Sequence, residues 1–466
     1  MSITGTLKAE PFRGRKPTLR RVTGRCLRVA CGLWVMATGP AHGQSLLLGP
    51  PPAPPVRAPV DPALPTGASR FGLPRPSTQD PAACSFRWPV CVRRAAGVSD
   101  ALTLAALASL EKAMERLVWG LGLPGPMDLG PKLYLHLTAG SADLRVVPCA
   151  SWLEHFDRAA AYCVLGAGAA HDLDRAATLC AAEAIALGLD ASASPHVRRA
   201  YATHVWWTVG APASSDVDCV GALQNQPYRA VVARDRGPTS EGAALLFEYL
   251  ESRFGGRAPV GLASSLLAIS ASHTRPGAWR FNNEPDLLDV LRATFETKPT
   301  SFSELLGDFA TTRALLGSRE SPLQSLAWTG QAAAMKYDWT LPLSTLPRRV
   351  AFRHPVEPTG LVAIWVPFDE PVKPPLTLAI RSEWEAPVAF QWVLVRVAAG
   401  QVERSRVRVP FQERGTMFEQ RIVDLEGLLG LLIVGTNLGG IDLAHPFDPD
   451  ISPYEPAGGT VYVTQL

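Results

Sequence analysis

Residues 179–190 read Leu-Cys-Ala-Ala-Glu-Ala-Ile-Ala-Leu-Gly-Leu-Asp, and they decide how the first half of the chain is interpreted. Together with the residues before them they form a mostly apolar segment over 173–189, which is typical of a buried helix. Glu183 is the one charged residue between 176 and 189. An unpaired carboxylate is costly to bury. Glu183 therefore needs a partner, a proton or a functional role.

Further helices surround this segment. Apolar residues three and four apart, a Ser194-Pro195 cap and a capping box at 301–304 mark their bodies and starts. The predicted helices cover 99–119, 173–189, 195–210, 242–254, 286–295 and 301–317. One strand is predicted among them, at 132–138, where leucines alternate with polar residues.

From residue 350 onward the apolar period changes to two. The predicted strands cover 361–366, 376–380, 390–397, 402–409, 420–425, 431–436 and 460–464. Turns rich in proline, glycine or charge separate them, which favours an antiparallel β-sandwich. The predicted fold class is therefore multidomain α+β, with a helix-rich domain over 84–345 followed by a β-sandwich domain over 346–466.

The N-terminal residues predict export. A basic region, an apolar stretch and a small-residue site give a signal peptide over 1–43, cleaved after Gly43. Residues 44–83 are rich in proline and predict an extended linker. No later stretch has the roughly 20 apolar residues of a membrane-spanning helix. The expected destination is secreted, periplasmic or in the cell envelope.

The cysteines that follow the signal peptide form an even set: Cys84, Cys91, Cys149, Cys163, Cys180 and Cys219. Export permits disulfides. Sequential pairing is favoured, because Cys84 with Cys91 and Cys149 with Cys163 close short loops, which leaves Cys180 with Cys219. A zinc site is the alternative, but the chain has no C-x-x-C pair.

Composition excludes some classes of function. The chain has 466 residues, 47% of them hydrophobic and 19% charged, as in globular proteins. Its net charge of +3 includes arginines of the signal peptide, and no basic stripe points to nucleic acid. The sequence contains no H-E-x-x-H, G-x-S-x-G or phosphate-binding loop. No cofactor is predicted.

Glu183 gains a further interpretation when its helix is compared with that of zinc peptidases. These enzymes place two histidines four residues apart on one helical face, with a general-base glutamate directly after the first. If Glu183 is that base, Ala182 and Ala186 occupy the two ligand positions.

The order of the elements also resembles a group of secreted bacterial metalloproteases related to the gluzincins. Residues 242–255 are similar to a later helix of that layout, and residues 392–397, 433–437 and 447–450 are similar to its appended sandwich. The resemblance covers residues 84–466 in layout and implies a zincin-like helical domain. The chain departs from the family at Ala182 and Ala186, and the helix over 196–209 has no carboxylate for a third ligand, so the resemblance implies a degenerate member without metal.

Two other accounts of Glu183 stay open. Histidines from elsewhere, namely His171, His196 or His204, would rebuild a metal site around it. Alternatively, the carboxylate is paired with Arg198 or Arg199 inside an ordinary core.

Other candidate residues have simpler interpretations. Residues 154–157 and 171–174 combine acids with histidine and are typical of loop or helix-end charge clusters. Residues 448–450 offer oxygens for calcium, although a turn is favoured. Trp206 and Trp207 are adjacent on a helix and diverge by about 100°, which favours core packing over a shared ligand platform.

The sequence thus predicts an exported, non-catalytic metalloprotease-like protein. Its cleft or its sandwich is expected to bind a protein, a peptide or a glycan. The alternatives are an active hydrolase built around Glu183 and a structural or adhesive envelope protein.

Overall fold

The computed structural model describes most of the chain from residue 82 onward. The described residues are 82–126, 133–151, 159–191, 193–232, 237–271, 286–296, 301–317, 323, 326, 328–330, 334–368, 376–385, 388–399, 401–407, 417–423, 425–440 and 456–466. The predicted signal peptide, nearly all of the predicted linker, and the candidates at 154–157 and 448–450 lie outside these residues.

A mixed five-stranded sheet begins the described chain. Its strands are β1 (Ala82–Cys84), β2 (Val90–Arg94), β3 (Leu133–Thr138), β4 (Arg145–Ser151) and β5 (Ala159–Gly166). The order across the sheet is β1-β2-β3-β5-β4. The three central strands are parallel, while β1 and β4 pair antiparallel at the two ends. Sequence periodicity predicted only β3 of these strands.

Two helices pack on this sheet. Helix α1 (Asp100–Met114) begins at Ser99, whose side chain accepts a hydrogen bond from the Leu102 amide, and continues into a π-helical turn over Glu115–Gly120. Helix α2 (Leu173–Leu189) contains Glu183 and follows β5 directly. Helix α1 contacts β2, and α2 contacts α1, β4 and β5. Both helices bury apolar side chains in one continuous core with the sheet.

The remaining helices complete an α/β unit, formed by β1–β5 and α1–α9. They are α3 (Pro195–Val209), α4 (Ser214–Gln224), α5 (Pro238–Gly242), α6 (Ala244–Phe254), α7 (Gly261–Ser270), α8 (Leu287–Glu296) and α9 (Phe302–Leu315). The predicted helices are all confirmed, with α9 opened by the predicted capping box between Ser301 and Glu304. Helices α4, α5 and α7 were not predicted.

The disulfides correct the predicted cysteine pairing. Cys84 bonds to Cys91, as predicted, and closes the hairpin between β1 and β2. Cys163 of β5 bonds to Cys180 of α2, so the predicted pairs Cys149–Cys163 and Cys180–Cys219 are wrong. The pairing follows from the packing of α2 against β5, which brings these two side chains together. Cys219 is a free, buried thiol, and the side chain of Cys149 is not among those described.

A two-sheet unit, formed by strands β6–β14, follows. Its strands are β6 (Trp339–Thr340), β7 (Arg348–Ala351), β8 (Leu361–Pro367), β9 (Leu378–Trp384), β10 (Val388–Ala398), β11 (Gln401–Val407), β12 (Met417–Ile422), β13 (Leu428–Gly440) and β14 (Gly459–Gln465). One sheet has the order β11-β10-β13-β8-β6 and the other β12-β9-β14-β7. All neighbouring strands are antiparallel except β6 and β8. The chain therefore has an α+β architecture, as predicted.

The two sheets share one apolar core, and the larger sheet is also buried on its other side. Side chains of β10 alternate, so that Trp392 points into the core between the sheets and Val393 points to α9. Gly307 of α9 lies at that contact, where an added Cβ would come 2.7 Å from Cγ of Gln391. A glycine therefore allows the helix to approach the sheet closely.

Hydrogen bonds also join the two units after helix α4. The amide of Glu357 donates to the carbonyl oxygen of Tyr228 at 2.8 Å, and the amide of Leu361 donates to that of Pro227 at 2.9 Å. The Glu357 carboxylate accepts from the Ala230 amide at 2.8 Å. Within the described part of the chain, no helix combines the length and apolar content needed to cross a membrane.

Candidate binding cleft

A cleft of about 800 Å³ lies in the α/β unit, beside the end strand β4. Its walls come from residues 143–145, where the chain enters β4, and from helices α2, α3, α4 and α5. Glu183 lines this cleft. The volume is in the range of sites that hold small molecules or a few residues of a peptide.

Helix α2 supplies one wall through a single stripe of side chains. Asp172, Arg175, Leu179 and Glu183 all line the cleft and are spaced three or four residues apart, which places them on one helical face. Asp172 also caps the helix, because its side chain accepts a hydrogen bond from the Arg175 amide at 3.0 Å. Most of the other side chains of α2 face the apolar core.

The carboxylate of Glu183 is paired with Arg199 of helix α3. Arg199 Nε lies 3.2 Å from Glu183 Oε2, and the Glu183 side chain is only 2% exposed. The same guanidinium donates to the Leu144 carbonyl oxygen at 3.1 Å, which ties α3 to the chain before β4. Arg198, the other predicted partner, donates instead to the carbonyl oxygens of Ala191 and Ala193. The ion pair explains how α2 tolerates a buried charge.

Ala182 and Ala186, at the predicted ligand positions, are fully buried in the apolar core. Neither side chain lines the cleft. An alanine methyl group has no lone pair with which to bind a metal.

The three histidines that would rebuild a metal site are placed differently from one another. His171 is exposed and lines the cleft, whereas His196 and His204 are buried and do not line it. His204 Nδ1 lies 3.2 Å from a carboxylate oxygen of Glu248 on α6. In the described ranges, no three histidine, cysteine, aspartate or glutamate side chains lie close enough together to hold a metal ion.

A second charged cluster lines the cleft around Arg175. Arg175 donates to Asp216 Oδ1 at 3.2 Å and to Glu241 Oε2 at 2.5 Å. Burial lowers the pKa of Arg175, but Glu241 and Asp216 outweigh it and the net shift is upward. The Cys219 thiol donates to Glu241 at 3.1 Å. Burial, and then the Glu241 charge, raise the pKa of Cys219, so the thiol stays protonated.

Asp216 anchors this cluster from below the cleft surface. It is fully buried and accepts hydrogen bonds from the indoles of Trp206 and Trp207, at 3.1 and 3.4 Å, and from the Ala213 amide at 2.8 Å. The two tryptophans are buried, as predicted. Their side chains leave the helix in different directions, but both indole N–H groups reach the Asp216 carboxylate. They act as donors that fix Asp216 and hence Arg175.

The charge cluster predicted at 171–174 is a helix start. Asp172 caps α2, and Asp174 is paired with Lys112 in the last turn of α1 at 3.1 Å and with Arg116 in the π-helical turn that follows at 3.0 Å. These contacts fix α2 against α1.

No sequence pattern predicted that Arg175, Asp216 and Glu241 form a cluster. The three residues come from three helices. Asp216 and Glu241 lie 41 and 66 positions from Arg175 along the chain. Their only local signal is that Asp216, the third residue of α4, accepts a hydrogen bond from the amide of Ala213 just before the helix. The arrangement offers paired charges and hydrogen-bonding groups around a cavity, which suits the binding of a polar ligand.

Comparison with known proteins gives no match: no protein-family model, no curated protein and no solved structure is similar to this chain.

Proposed function

We propose that the protein is an exported, non-catalytic binding protein with a degenerate peptidase scaffold, whose cleft holds an extended polypeptide segment. In this proposal the α/β unit is zincin-like and the two-sheet unit is an appended β-sandwich. The observation that carries the proposal is the ion pair of Glu183 with Arg199 on the wall of the cleft.

The ion pair supports a binding role because of where the arginine lies. A general base must accept a proton from a water or a substrate within hydrogen-bond distance. Here a guanidinium lies against the carboxylate, and Glu183 Oε2 is buried. At the two positions where a zinc peptidase has its histidine ligands, this chain has the buried methyl groups of Ala182 and Ala186. Glu183 is therefore better suited to shaping and charging the cleft than to proton transfer.

The strand beside the cleft supports a polypeptide as the ligand. Strand β4 is at one end of its sheet, and no other described strand pairs with its outer edge. The cleft is lined by residues 143–145, at the point where this strand begins. An unpaired strand edge offers backbone donors and acceptors to an extended peptide, which adds to the sheet as a further strand.

Export is part of the same proposal. The two disulfides are consistent with an oxidising compartment. The α/β unit has a buried Cys163–Cys180 bond that joins its sheet to the cleft helix, so reduction is expected to loosen the cleft.

Peptide binding and peptide cleavage can be tested together. Labelled peptides of about six residues are mixed with the full chain, and binding is followed by fluorescence anisotropy while cleavage is followed by mass spectrometry. We expect dissociation constants in the micromolar range, which correspond to a binding free energy of about −8 kcal/mol. We also expect the peptides to remain intact. Methylating the backbone nitrogens of a bound peptide should weaken it about tenfold, because each methyl group removes a strand-pairing donor.

A different result would identify a hydrolase. Stoichiometric zinc in the purified protein, with cleavage that Glu183→Gln abolishes and Glu419→Gln leaves intact, would contradict the proposal. Glu419 is a matched control because it is exposed on β12, in the other unit.

A further inference from the structure

We infer that the cleft selects polypeptide segments that carry an uncharged, apolar side chain, which packs on the apolar residues of its walls. This inference rests on the proposed function, since it names the class of segment that the proposed cleft accepts. The backbone of the segment supplies its polar groups, and the side chain decides which segments bind.

The ion pairs on the walls of the cleft neutralise each other within the protein. Glu183 is paired with Arg199 at 3.2 Å, and Glu241 is paired with Arg175 at 2.5 Å. Two carboxylates and two guanidinium groups therefore cancel. The Cys219 thiol adds no charge, because burial raises its pKa and keeps the proton on the sulfur.

The other titratable residues of the lining do not give the cleft a sign. Asp172 caps α2 and lies at the partially positive start of that helix. Asp143 and Arg145 have opposite charges, are exposed and flank Leu144 at the start of β4. His171 is exposed and counts as neutral at pH 7. A charged ligand group of either sign therefore meets no excess of the opposite charge.

Apolar side chains line the cleft beside these charges. Leu144, Ala169 and Ala176 are partly buried, line the cleft and pack against the apolar core of the α/β unit. Leu165 of β5 and Leu179 of α2 line it as well and belong to that core. The apolar core thus reaches the wall of the cleft. An apolar side chain of a ligand extends the core there and removes apolar surface from water.

A charged side chain is disfavoured at the same place. Its head group loses water on entering the cleft, and no unpaired counter-charge on the inner walls replaces that water. To gain a counter-charge it must open the pair of Glu183 with Arg199 or that of Glu241 with Arg175, which leaves another charge without its partner. The cleft is therefore expected to discriminate against lysine and glutamate alike.

Four peptides that differ at one position test this inference. Alanine-rich peptides of about six residues carry norleucine, alanine, lysine or glutamate at the centre, and their affinities for the full chain are measured by anisotropy. We expect the norleucine peptide to bind about tenfold more tightly than each of the other three. Its affinity should change by less than about twofold as salt rises from about 0.05 to 0.5 M, because its side chain forms no ion pair.

A variant of the wall locates the effect. Leu144→Ala shortens one apolar side chain and keeps the carbonyl oxygen that Arg199 binds, so the ratio of norleucine to alanine affinity should fall about threefold. Leu429→Ala, at a side chain 49% exposed on β13, should leave that ratio unchanged. Should Leu144→Ala fail to fold, the four affinities of the unaltered protein still decide the question.

The outcomes separate this inference from the proposal on which it rests. Binding of the lysine or glutamate peptide as tight as that of the norleucine peptide would overturn the apolar specificity and leave peptide binding intact. Equal affinities for norleucine and alanine would do the same. If none of the four peptides binds at millimolar concentration, both proposals are wrong.

Discussion

The α/β unit and the two-sheet unit bury different kinds of side chain. The α/β unit contains buried charges on several of its helices, among them Glu183, Arg198, Asp216 and Arg313. In the two-sheet unit, Asp338 is the one buried charged residue among those described, and the core consists of apolar and aromatic side chains. Buried charges cost stability unless they are paired, whereas apolar cores do not carry that cost. The difference suggests that one unit is built around a site and the other around packing.

The largest effect is expected at the centre of the apolar core. Trp392 is fully buried and lies 5.1 Å from Phe418 and 5.9 Å from Phe390 between ring centroids. Trp392→Ala should lower the free energy of unfolding by about 4 kcal/mol, because it leaves a large cavity. Chemical denaturation measures the change. Tyr462→Ala, at a side chain 37% exposed on the same unit, should cost far less, and equal losses would argue against a close-packed core.

A somewhat smaller effect is expected in the charged cluster of the other unit. Asp216→Asn keeps the shape of the side chain but removes the charge with which Arg175 is paired, and it replaces one of the two oxygens that accept from Arg175 and from the Trp206 indole by an amide donor. We expect the free energy of unfolding to fall by about 3 kcal/mol. Asp100→Asn, at a side chain 80% exposed in its pair with Arg94, should change it by less than about 1 kcal/mol. A neutral Asp216→Asn would mean that the buried cluster does not stabilise the unit.

The smallest effect concerns the pH dependence of the α/β unit. Burial raises the pKa of Glu251, against the opposing hydrogen bond from the Ala263 amide and the charge of His204. A raised pKa means that the folded protein holds the proton more tightly than the unfolded chain. The contribution of Glu251 to stability is therefore fully present below its unfolded pKa and is lost as the pH rises through its folded pKa.

Replacing Glu251 by glutamine tests the direction in which the stability changes with pH. Denaturation curves between about pH 4 and pH 8 should show the unaltered protein losing stability relative to Glu251→Gln as the pH rises. The conservative amide keeps an acceptor for the Ala263 amide. Parallel curves for the two proteins would show that Glu251 does not titrate differently in the folded state.

Periodicity predicted much of the architecture but only part of the first sheet. Six of the nine described helices and seven of the nine described strands of the two-sheet unit were predicted because their apolar residues repeat at the period of the element. Strand β5, in contrast, is buried at seven of its eight positions and begins with three alanines, so it has no alternation to detect. Strands β2 and β4 are short or interrupted by proline, which hides them in the same way.

The candidate site shows the same limit at the level of single residues. The buried charge of Glu183 demanded a partner, and the sequence narrowed the choice to Arg198 or Arg199. These neighbours point about 100° apart, so only the crossing of α2 and α3 decides between them. The Arg175 cluster and the Cys163–Cys180 bond depend on how distant elements pack, and no local pattern contains that information.

Helix α4 connects the cleft of the α/β unit to the two-sheet unit. Its first turns carry Ser214 and Cys219 on the cleft wall, and the chain beyond its last turn is bonded to the two-sheet unit through Tyr228 and Glu357. A fragment cut off after the last helix would leave those backbone groups to water and release the far end of α4. The C-terminal half thus supports the cleft. Removing it is expected to let the α4 wall shift away from the other walls, even where every residue that lines the cleft is retained.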